Sequence, residues 1–277
     1  MINIENLHFA YRKKQPLFSD LRLKLEEGKI YGLLGKNGTG KSTLLKLMIG
    51  GLAPNQGKVI LNKLSAADRK PALLQDIYYL PEELDLPSLK IDTYLQAYAP
   101  FYPKFDYNKF DDLLTVFEVD RHSNMSKLSF GQKKKVSIAF GMASQVKYLL
   151  MDEPTNGLDI PSKSQFRKAL LKGFKEDQVI IISTHQIRDL NQLIESVIIL
   201  DEGKIIFHKD TIEIENKLYF SKHLTQEALP DLIYSENGTG GYVHIQPNNE
   251  GRSSEVELEI LFNAVITQKD LVNQHLN

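Results

Sequence analysis

An eight-residue glycine-rich segment restricts the possible folds of this chain more than any other feature. Residues 35–42 read GKNGTGKS and match the pattern G-x-x-x-x-G-K-S/T. The preceding run, Ile30–Leu34, is short and apolar, as in a buried strand, and the segment Ser42–Ile49 has the periodicity of a helix. Strand, glycine loop and helix in this order predict a phosphate-binding loop in an α/β protein.

The chemistry of this loop suits a nucleoside triphosphate. Glycines allow backbone N–H groups to converge on phosphate oxygens, and the helix N-terminus adds a partial positive charge. We expect Lys41 to reach the β and γ phosphates and Ser42 to place its hydroxyl on Mg²⁺. A glycine turn without function is a weak alternative, because the whole pattern and both flanking elements agree. The loop residues assigned to the nucleotide are Gly35, Asn37, Gly38, Gly40, Lys41, Ser42 and Thr43.

Composition excludes several other classes of protein. The 277 residues include no cysteine, which rules out disulfides and thiolate metal sites. Lys and Arg number 34 against 35 Asp and Glu, so the charge of the whole chain does not favour nucleic acid or anionic lipid. No stretch approaches the run of about 18 apolar residues that a spanning helix needs, and residues 1–11 lack the pattern of a secretory signal. We therefore expect a soluble or peripheral cytoplasmic protein.

Apolar patterns predict a mixed sheet with a helical insertion. In residues 1–29 apolar and polar residues alternate, as in strands buried on one face. Two continuous apolar runs, Tyr148–Met151 and Val179–Ile182, are typical of parallel strands covered on both faces. Residues from about 87 to 143 have helical periodicity and many aromatics. We expect these aromatics to fill the core of a helical subdomain and not to bind a ligand.

The pattern changes near Asp210. Val197–Leu200 and Ile205–Phe207, separated by a polar turn, predict a hairpin at the end of the main sheet. We therefore expect a catalytic domain of residues 1–210.

Residues 211–277 are expected to form a small α+β accessory region. A hairpin is predicted around the glycine-rich turn Asn237–Gly241, and a helix from about Glu255 to Ile266. No helix or lysine follows this turn, so a hairpin is favoured over a second phosphate loop.

Three polar residues follow the two buried strands. Asp152 and Glu153 come directly after the first, at the strand end where ligands bind in open α/β sheets. Asp152 suits Mg²⁺, and Glu153 suits a general base that orients the attacking water. His185 follows the second strand and could donate a hydrogen bond to a γ phosphate. Such an acidic pair or a lone histidine is ordinarily structural, so their combination carries the functional interpretation.

The segment Leu128–Gln132, here called the signature segment, precedes another helix. The hydroxyl of Ser129 and the backbone N–H of Gly131 suit a phosphate. Lysines 133–135 follow in the first helical turn, where cations oppose the helix dipole unless an anion lies nearby. Alone, the segment fits a capped helix with solvated lysines better than a phosphate site.

Taken in order, these motifs resemble those of an ATP-binding cassette domain, over about Ile2–Asp210. The resemblance implies that ATP is the nucleotide, that Tyr11 stacks on adenine and that His185 senses the γ phosphate. Asp159 would act across the interface between two cassettes. The residues that would meet the γ phosphate held by the second cassette are Ser129, Gly131 and Gln132.

Two positions depart from the family pattern. Glu82 stands where the family usually carries a glutamine that touches Mg²⁺ and water, and Phe130 replaces a glycine that is usual in the signature segment. Glu82 remains an oxygen ligand, so we assign it to both the catalytic and the metal-binding residues. Residues 258–262 resemble the end of cassettes that serve small exporters with a separate permease.

The resemblance also implies partners. These are a second cassette chain, identical or different, and a separately encoded membrane permease whose coupling helix docks on the helical subdomain. No nucleic-acid partner is expected, and the chain would lie on the cytoplasmic face of the membrane. Three alternatives remain: a soluble cassette ATPase with a non-transport partner, a phosphate-loop kinase, and an inactive regulatory cassette. The signature segment and His185 disfavour the kinase. The inactive cassette is disfavoured by the joint presence of Lys41, Asp152, Glu153 and His185.

Overall fold

A computed structural model describes residues 1–12, 15–225, 231–238 and 241–276. The strands in these ranges are β1 Ile2–Phe9, β2 Phe18–Leu25, β3 Lys29–Leu34, β4 Gln56–Leu61, β5 Leu64–Ser65, β6 Ile77–Leu80, β7 Tyr148–Asp152, β8 Val179–Thr184, β9 Ser196–Asp201, β10 Lys204–Asp210, β11 Leu218–His223, β12 Tyr234–Gly238 and β13 Gly241–Pro247. The helices are α1 Lys41–Met48, α2 Pro71–Leu74, α3 Ile91–Tyr98, α4 Tyr107–Val116, α5 Phe130–Ala143, α6 Ile160–Gly173, α7 Thr211–Lys217 and α8 Leu258–Leu276.

The central sheet has the strand order β10-β9-β3-β8-β7-β6. All neighbouring pairs are parallel except β9 and β10, which form the predicted antiparallel hairpin. Strands β7 and β8 are buried along their whole length, as expected of strands covered on both faces. The carboxyl ends of the parallel strands therefore share one edge, where ligands bind in α/β proteins. This sheet confirms the predicted mixed α/β fold.

A second, antiparallel sheet has the strand order β2-β1-β4-β5. Its buried face shares a hydrophobic cluster with α1 and β3, to which Ile4, Leu25, Leu33 and Leu44 belong. The alternation along β1 and β2 confirms the prediction of strands buried on one face. Strand β4 was not predicted, because its first three residues are exposed and supply no apolar alternation.

Helices α3, α4 and α5 form the region in which a helical subdomain was expected. Phe140 of α5 lies at the centre of an aromatic cluster, with its ring centroid 4.9 Å from Phe105 and 5.2 Å from Tyr94. Most aromatics of this region therefore fill a core, as predicted. The exceptions are the exposed side chains of Tyr98, Phe101, Tyr107 and Phe130, of which Phe101 is the most exposed at 69%.

Beyond β10 the chain forms α7, a three-stranded antiparallel sheet in the order β11-β13-β12, and α8. Strands β12 and β13 confirm the predicted hairpin, although residues 239 and 240 of its turn lie outside the described residues. Among the described residues, no helix is both long enough and apolar enough to cross a membrane.

The last helix, predicted from about Glu255 to Ile266, begins three residues later, at Leu258, and is interrupted by a kink at Gln268, close to the predicted end. A second helical segment, which was not predicted, continues to Leu276. The extension follows from tertiary packing, because Val272 and Leu276 are fully buried. Periodicity read within the segment alone could not reveal these contacts.

Candidate functional site

The glycine-rich loop runs from the end of β3 into α1 without side-chain capping. Gly40, the residue before α1, has a φ of 105°, and its Cβ would lie 2.9 Å from the Phe18 ring. A side chain at Gly35 would approach the backbone oxygen of Leu200 to 2.5 Å. No side chain caps α1 and no acidic residue lies in its first turn. The helix N-terminus therefore offers backbone N–H groups and a positive dipole end to an anion.

Lys41 is buried at the start of α1. Its Nζ donates hydrogen bonds to the backbone oxygens of Gly35 at 2.8 Å and Lys36 at 3.2 Å, so the ammonium lies inside the loop. Burial lowers the pKa of Lys41 below its ordinary value. Nearby carboxylates act on this pKa in the opposite direction, in the order Glu153, Asp152 and Glu82. The lysine charge therefore faces both the loop and an acidic cluster.

Tyr11 lies beside the first turn of α1. Its hydroxyl and the Thr43 Oγ1 are 3.0 Å apart in a hydrogen bond, and its ring meets the Phe9 ring edge-on at 4.9 Å. The Tyr11 side chain is 64% exposed, so one face of the ring is open to a planar ligand. The hydrogen bond between Tyr11 and Thr43 fixes the Tyr11 ring next to the loop. Nothing in the sequence indicated this hydrogen bond.

A cleft of about 640 Å³ joins the loop to the carboxyl edge of the sheet, within the ordinary size range of ligand pockets. Most of the residues predicted for the nucleotide line it: Tyr11, Asn37, Gly38, Gly40, Lys41, Ser42, Thr43, Glu82, Glu153 and His185. The predicted residues outside its lining are Gly35, Asp152, Ser129, Gly131, Gln132 and Asp159.

Asp152 ends β7 and is buried. One carboxylate oxygen accepts a very short hydrogen bond from the Ser183 hydroxyl, and the other accepts one from the Tyr79 hydroxyl at 3.2 Å. Burial, aided by the charge of Asp152, raises the pKa of Tyr79, so the phenol remains a donor. Sequence reasoning missed both donors, since each reaches Asp152 from a neighbouring strand.

Glu153 follows directly, with a φ of 46° that is unusual for a residue other than glycine. Its buried carboxylate accepts three hydrogen bonds: from His185 Nδ1 at 2.8 Å, from the His185 backbone N–H at 3.0 Å and from the Thr184 hydroxyl at 3.2 Å. Because an ionised carboxylate only accepts, the imidazole carries a proton on Nδ1 in this contact. Strained backbone of this kind is concentrated at functional sites.

Glu82 reaches the same region from the loop after β6. Its Oε1 accepts a hydrogen bond from Asn156 Nδ2 at 3.3 Å, which connects it to the turn after Glu153. Lys134 is one of the three lysines for which solvation was weighed against a nearby anion, and it is fully buried. Its Nζ donates to the backbone oxygens of Glu82 at 2.8 Å and Pro81 at 3.2 Å. The solvated alternative is therefore wrong for Lys134, because its side chain turns away from solvent toward this loop.

The signature segment caps α5 and lies away from the cleft. The Ser129 hydroxyl accepts from the Gln132 backbone N–H at 3.2 Å, and Gln132 Oε1 accepts from the Ser129 N–H at 3.0 Å. These two bonds form a capping box. Gly131 is packed so closely that its Cβ would lie 2.8 Å from the backbone oxygen of Gly157. Asp159 caps α6 by accepting from the Ser162 N–H at 2.8 Å.

The donor set around the cleft fits Mg²⁺ bound through a nucleotide. Ser42 and Glu82 supply oxygens at the cleft itself. Asp152 is buried outside the cleft lining, and its two carboxylate oxygens accept hydrogen bonds from Ser183 and Tyr79. Mg²⁺ ordinarily takes one or two protein oxygens, with substrate phosphates and waters completing its octahedron. Within the described ranges, no group of three or more acidic or histidine side chains could hold a metal by itself. Such an ion would therefore depend on the nucleotide for several of its ligands.

Comparison with known proteins identifies the family. Residues 18–156, half of the chain, match the family model described as ABC transporter. The chain is 28% identical to the ABC transporter ATP-binding protein YtrB of Bacillus subtilis, covering 78% of this chain and 74% of that protein. It is 27% identical to the lantibiotic transport ATP-binding protein SrtF of Streptococcus pyogenes, covering 78% and 93% respectively.

A solved structure described as the ATP binding subunit of an ABC transporter has the same fold. The two structures superimpose with a TM-score of 0.70 at 24% identity, over 78% of this chain and 92% of that one. The chain therefore belongs to the ABC transporter family, as a subunit that binds and hydrolyses ATP.

Proposed function

We propose that this subunit hydrolyses Mg-ATP in two composite sites formed with a second cassette chain, and thereby drives a substrate through a separately encoded permease. One observation carries the proposal. The loop, Glu153 and His185 share a cleft, whereas Ser129 is exposed at the start of α5, outside that cleft. A second chain can bring its own Ser129 to the nucleotide, which one chain alone cannot do without moving α5.

In each composite site the residues of this chain take separate roles. Lys41 and the N-terminus of α1 bind the phosphates, and Tyr11 stacks on adenine through its exposed ring face. Ser42, Asp152 and Glu82 would hold Mg²⁺, which when bound offsets phosphate charge during transfer.

Glu153 is the proposed proton acceptor for the attacking water. Its carboxylate lies in the cleft, and three donors fix its orientation. His185 donates a hydrogen bond from Nδ1 to this carboxylate and keeps the proton. When Nε2 is also protonated, it can donate a hydrogen bond to the γ phosphate. Thr184 adds a third bond from the adjacent strand end, so Glu153 need not reorganise before it accepts a proton.

Exposed aromatics of the helical region support docking of a membrane subunit there. Phe101 is 69% exposed and Tyr107 50% exposed, and Tyr98 and Phe130 of the same region are exposed as well. Exposed apolar surface of this kind marks interaction sites more often than ordinary surface does. The permease would lie in a membrane, with this subunit on its cytoplasmic face.

The composite site is tested by the variant Ser129→Arg. The isolated variant should bind ATP with parental affinity but release no phosphate, because the added bulk lies at the interface and not in its own cleft. Ser19→Arg, which adds the same side chain at an exposed position of β2, is the matched control and should retain phosphate release. Titration calorimetry and phosphate release measure the two quantities.

A second arm of this test mixes Ser129→Arg with Lys41→Ala. With free exchange of subunits, half of the dimers contain one chain of each kind, so about a quarter of all sites are intact. Phosphate release should therefore reappear on mixing. Loss of ATP affinity in isolated Ser129→Arg would contradict the proposal, because it would place Ser129 in its own chain's site.

A further inference from the structure

Lys134 connects two segments that the proposed mechanism treats separately. It lies in the second turn of α5, the helix capped by Ser129, and its side chain is completely buried. Its Nζ donates to the backbone oxygens of Pro81 at 3.2 Å and Glu82 at 2.8 Å. The signature helix is therefore bonded through one ammonium group to the loop that carries Glu82.

The charges around Lys134 explain why an ammonium can be buried here. A buried ammonium is costly unless opposite charges and hydrogen-bond acceptors surround it. Burial lowers the pKa of Lys134, and the carboxylates that raise it are, in order of effect, Glu82, Asp152 and Glu153. The same three carboxylates also act on Lys41, with Glu153 foremost. Two buried lysines thus share one acidic cluster.

The connection continues beyond Glu82. The Glu82 carboxylate accepts from Asn156 Nδ2 at 3.3 Å, in the turn that follows Glu153. On the α5 side, the Phe130 ring lies 5.7 Å from Lys134 Nζ, within cation–π range, and packs on the same turn at Gly157. Displacement of α5 must therefore carry the main chain of Glu82 along or break both bonds from Lys134.

We propose that Lys134 is a positioning residue for ATP hydrolysis, which ties the Glu82 loop to the signature helix and balances the charge that a glutamate brings to position 82. The inference rests on the proposed roles of Glu82 and Ser129. A glutamine at position 82, as in the family pattern, would add no charge beside Asp152 and Glu153. The glutamate adds one, and among the carboxylates that act on the buried ammonium of Lys134, that of Glu82 has the largest effect.

The experiment is a double-mutant cycle with Lys134→Gln, Glu82→Gln and the double variant. Phosphate release across ATP concentrations gives kcat and KM, and calorimetry in EDTA gives ATP affinity without metal. Lys134→Gln should lower kcat about tenfold or more and change KM less than about threefold. In the Glu82→Gln background, the same substitution should change kcat less than about threefold, because the charge that needs balancing is gone. Metal-free ATP affinity should stay parental in all three variants.

Lys135→Gln is the matched control. Lys135 lies in the same helical turn and also donates to a backbone oxygen, that of Phe117 at 3.1 Å, which belongs to the residue after α4 and not to the Glu82 loop. The kcat of Lys135→Gln should fall less than about threefold. An equal loss of kcat for Lys134→Gln in both backgrounds, or loss of metal-free ATP affinity, would overturn the proposal.

Solubility supplies a second criterion. Suppose that Lys134→Gln is insoluble. A soluble double variant with the kcat of Glu82→Gln would then support the claim that Lys134 balances the charge of Glu82, whereas an insoluble double variant would overturn that claim. The composite site is tested independently, because Ser129→Arg leaves both Lys134 and Glu82 in place.

Discussion

The Nδ1 atom of His185 lies 2.8 Å from the Oε1 atom of Glu153, across the carboxyl ends of two neighbouring parallel strands. The same oxygen accepts the backbone N–H of His185 at 3.0 Å. The proposed proton acceptor and the proposed γ-phosphate sensor are therefore one hydrogen-bonded unit. Substitution of either residue should impair the function of the other. The fold loss in kcat of the double variant should therefore be smaller than the product of the two single losses.

Lys41→Ala should abolish productive nucleotide binding. The buried ammonium lies inside the phosphate loop, and nothing else in the loop supplies a charge at that point. Calorimetric titration with ATP and phosphate release both measure the effect. Lys36→Ala is the matched control, because it removes an exposed lysine from the same loop while keeping the backbone oxygen that Lys41 uses. Parental turnover in Lys41→Ala would refute the phosphate-loop assignment.

Tyr11→Ala should weaken ATP binding by about 1–3 kcal/mol, if stacking on adenine resembles stacking on single-stranded bases. Tyr11→Phe should bind nearly as well, since it keeps the ring and loses only the bond to Thr43. Titration calorimetry compares the three proteins. ATP binding by Tyr11→Ala at parental affinity would mean that adenine is held elsewhere, with Phe9 the next candidate because its ring meets that of Tyr11.

Asn191→Ala should destabilise the attachment of α8. The Asn191 side chain accepts from the Leu258 N–H at 3.1 Å and donates to the Val256 backbone oxygen at 3.2 Å. Its removal leaves two backbone groups at the start of α8 without these partners, which should lower the free energy of unfolding by about 1–3 kcal/mol.

Urea denaturation measures this change. Asn191→Asp keeps the acceptor for Leu258 and loses only the donor, so it should fall between the parent and Asn191→Ala. An unchanged urea midpoint in Asn191→Ala would show that these two bonds do not stabilise the C-terminal helix.

Local patterns were sufficient for the parts of the fold that short segments specify. The strand-loop-helix around Lys41 and the hairpin of β9 and β10 depend on neighbouring residues, and both were predicted. Contacts between residues far apart in the sequence could not be predicted from local patterns. Tyr79 meets Asp152 from 73 residues away, and Lys134 meets Glu82 from 52 residues away. Neither partner is identified by its own segment.

The lysines after the signature segment show the same limit. Lysines 133–135 all lie near the start of the helix, so the helix dipole gives the same expectation for all three. In the structure these lysines differ. Lys134 is buried and donates to the backbone oxygen of Glu82, whereas Lys135 donates to that of Phe117, the residue after α4. Only tertiary packing decides which lysine of such a run turns inward.

Glu153→Gln should lower hydrolysis by about 10²–10⁴-fold, the usual share of general acid–base catalysis. The substitution keeps the size of the side chain and one acceptor oxygen, which can retain the two His185 bonds, while the amide NH₂ can donate to the Thr184 hydroxyl. It removes the group that accepts a proton. ATP affinity should survive. Phosphate release measures the effect, with Glu176→Gln as a control at a carboxylate in the loop between α6 and β8.

The molar mass of Glu153→Gln, measured by size-exclusion chromatography with light scattering, tests the two-chain site most directly. Two ATP molecules held between two chains should shift the association equilibrium by mass action, since they are bound fully only in the dimer. We expect the molar mass of one chain without nucleotide and of two chains with Mg-ATP. A monomer that retains bound Mg-ATP would contradict the two-chain site.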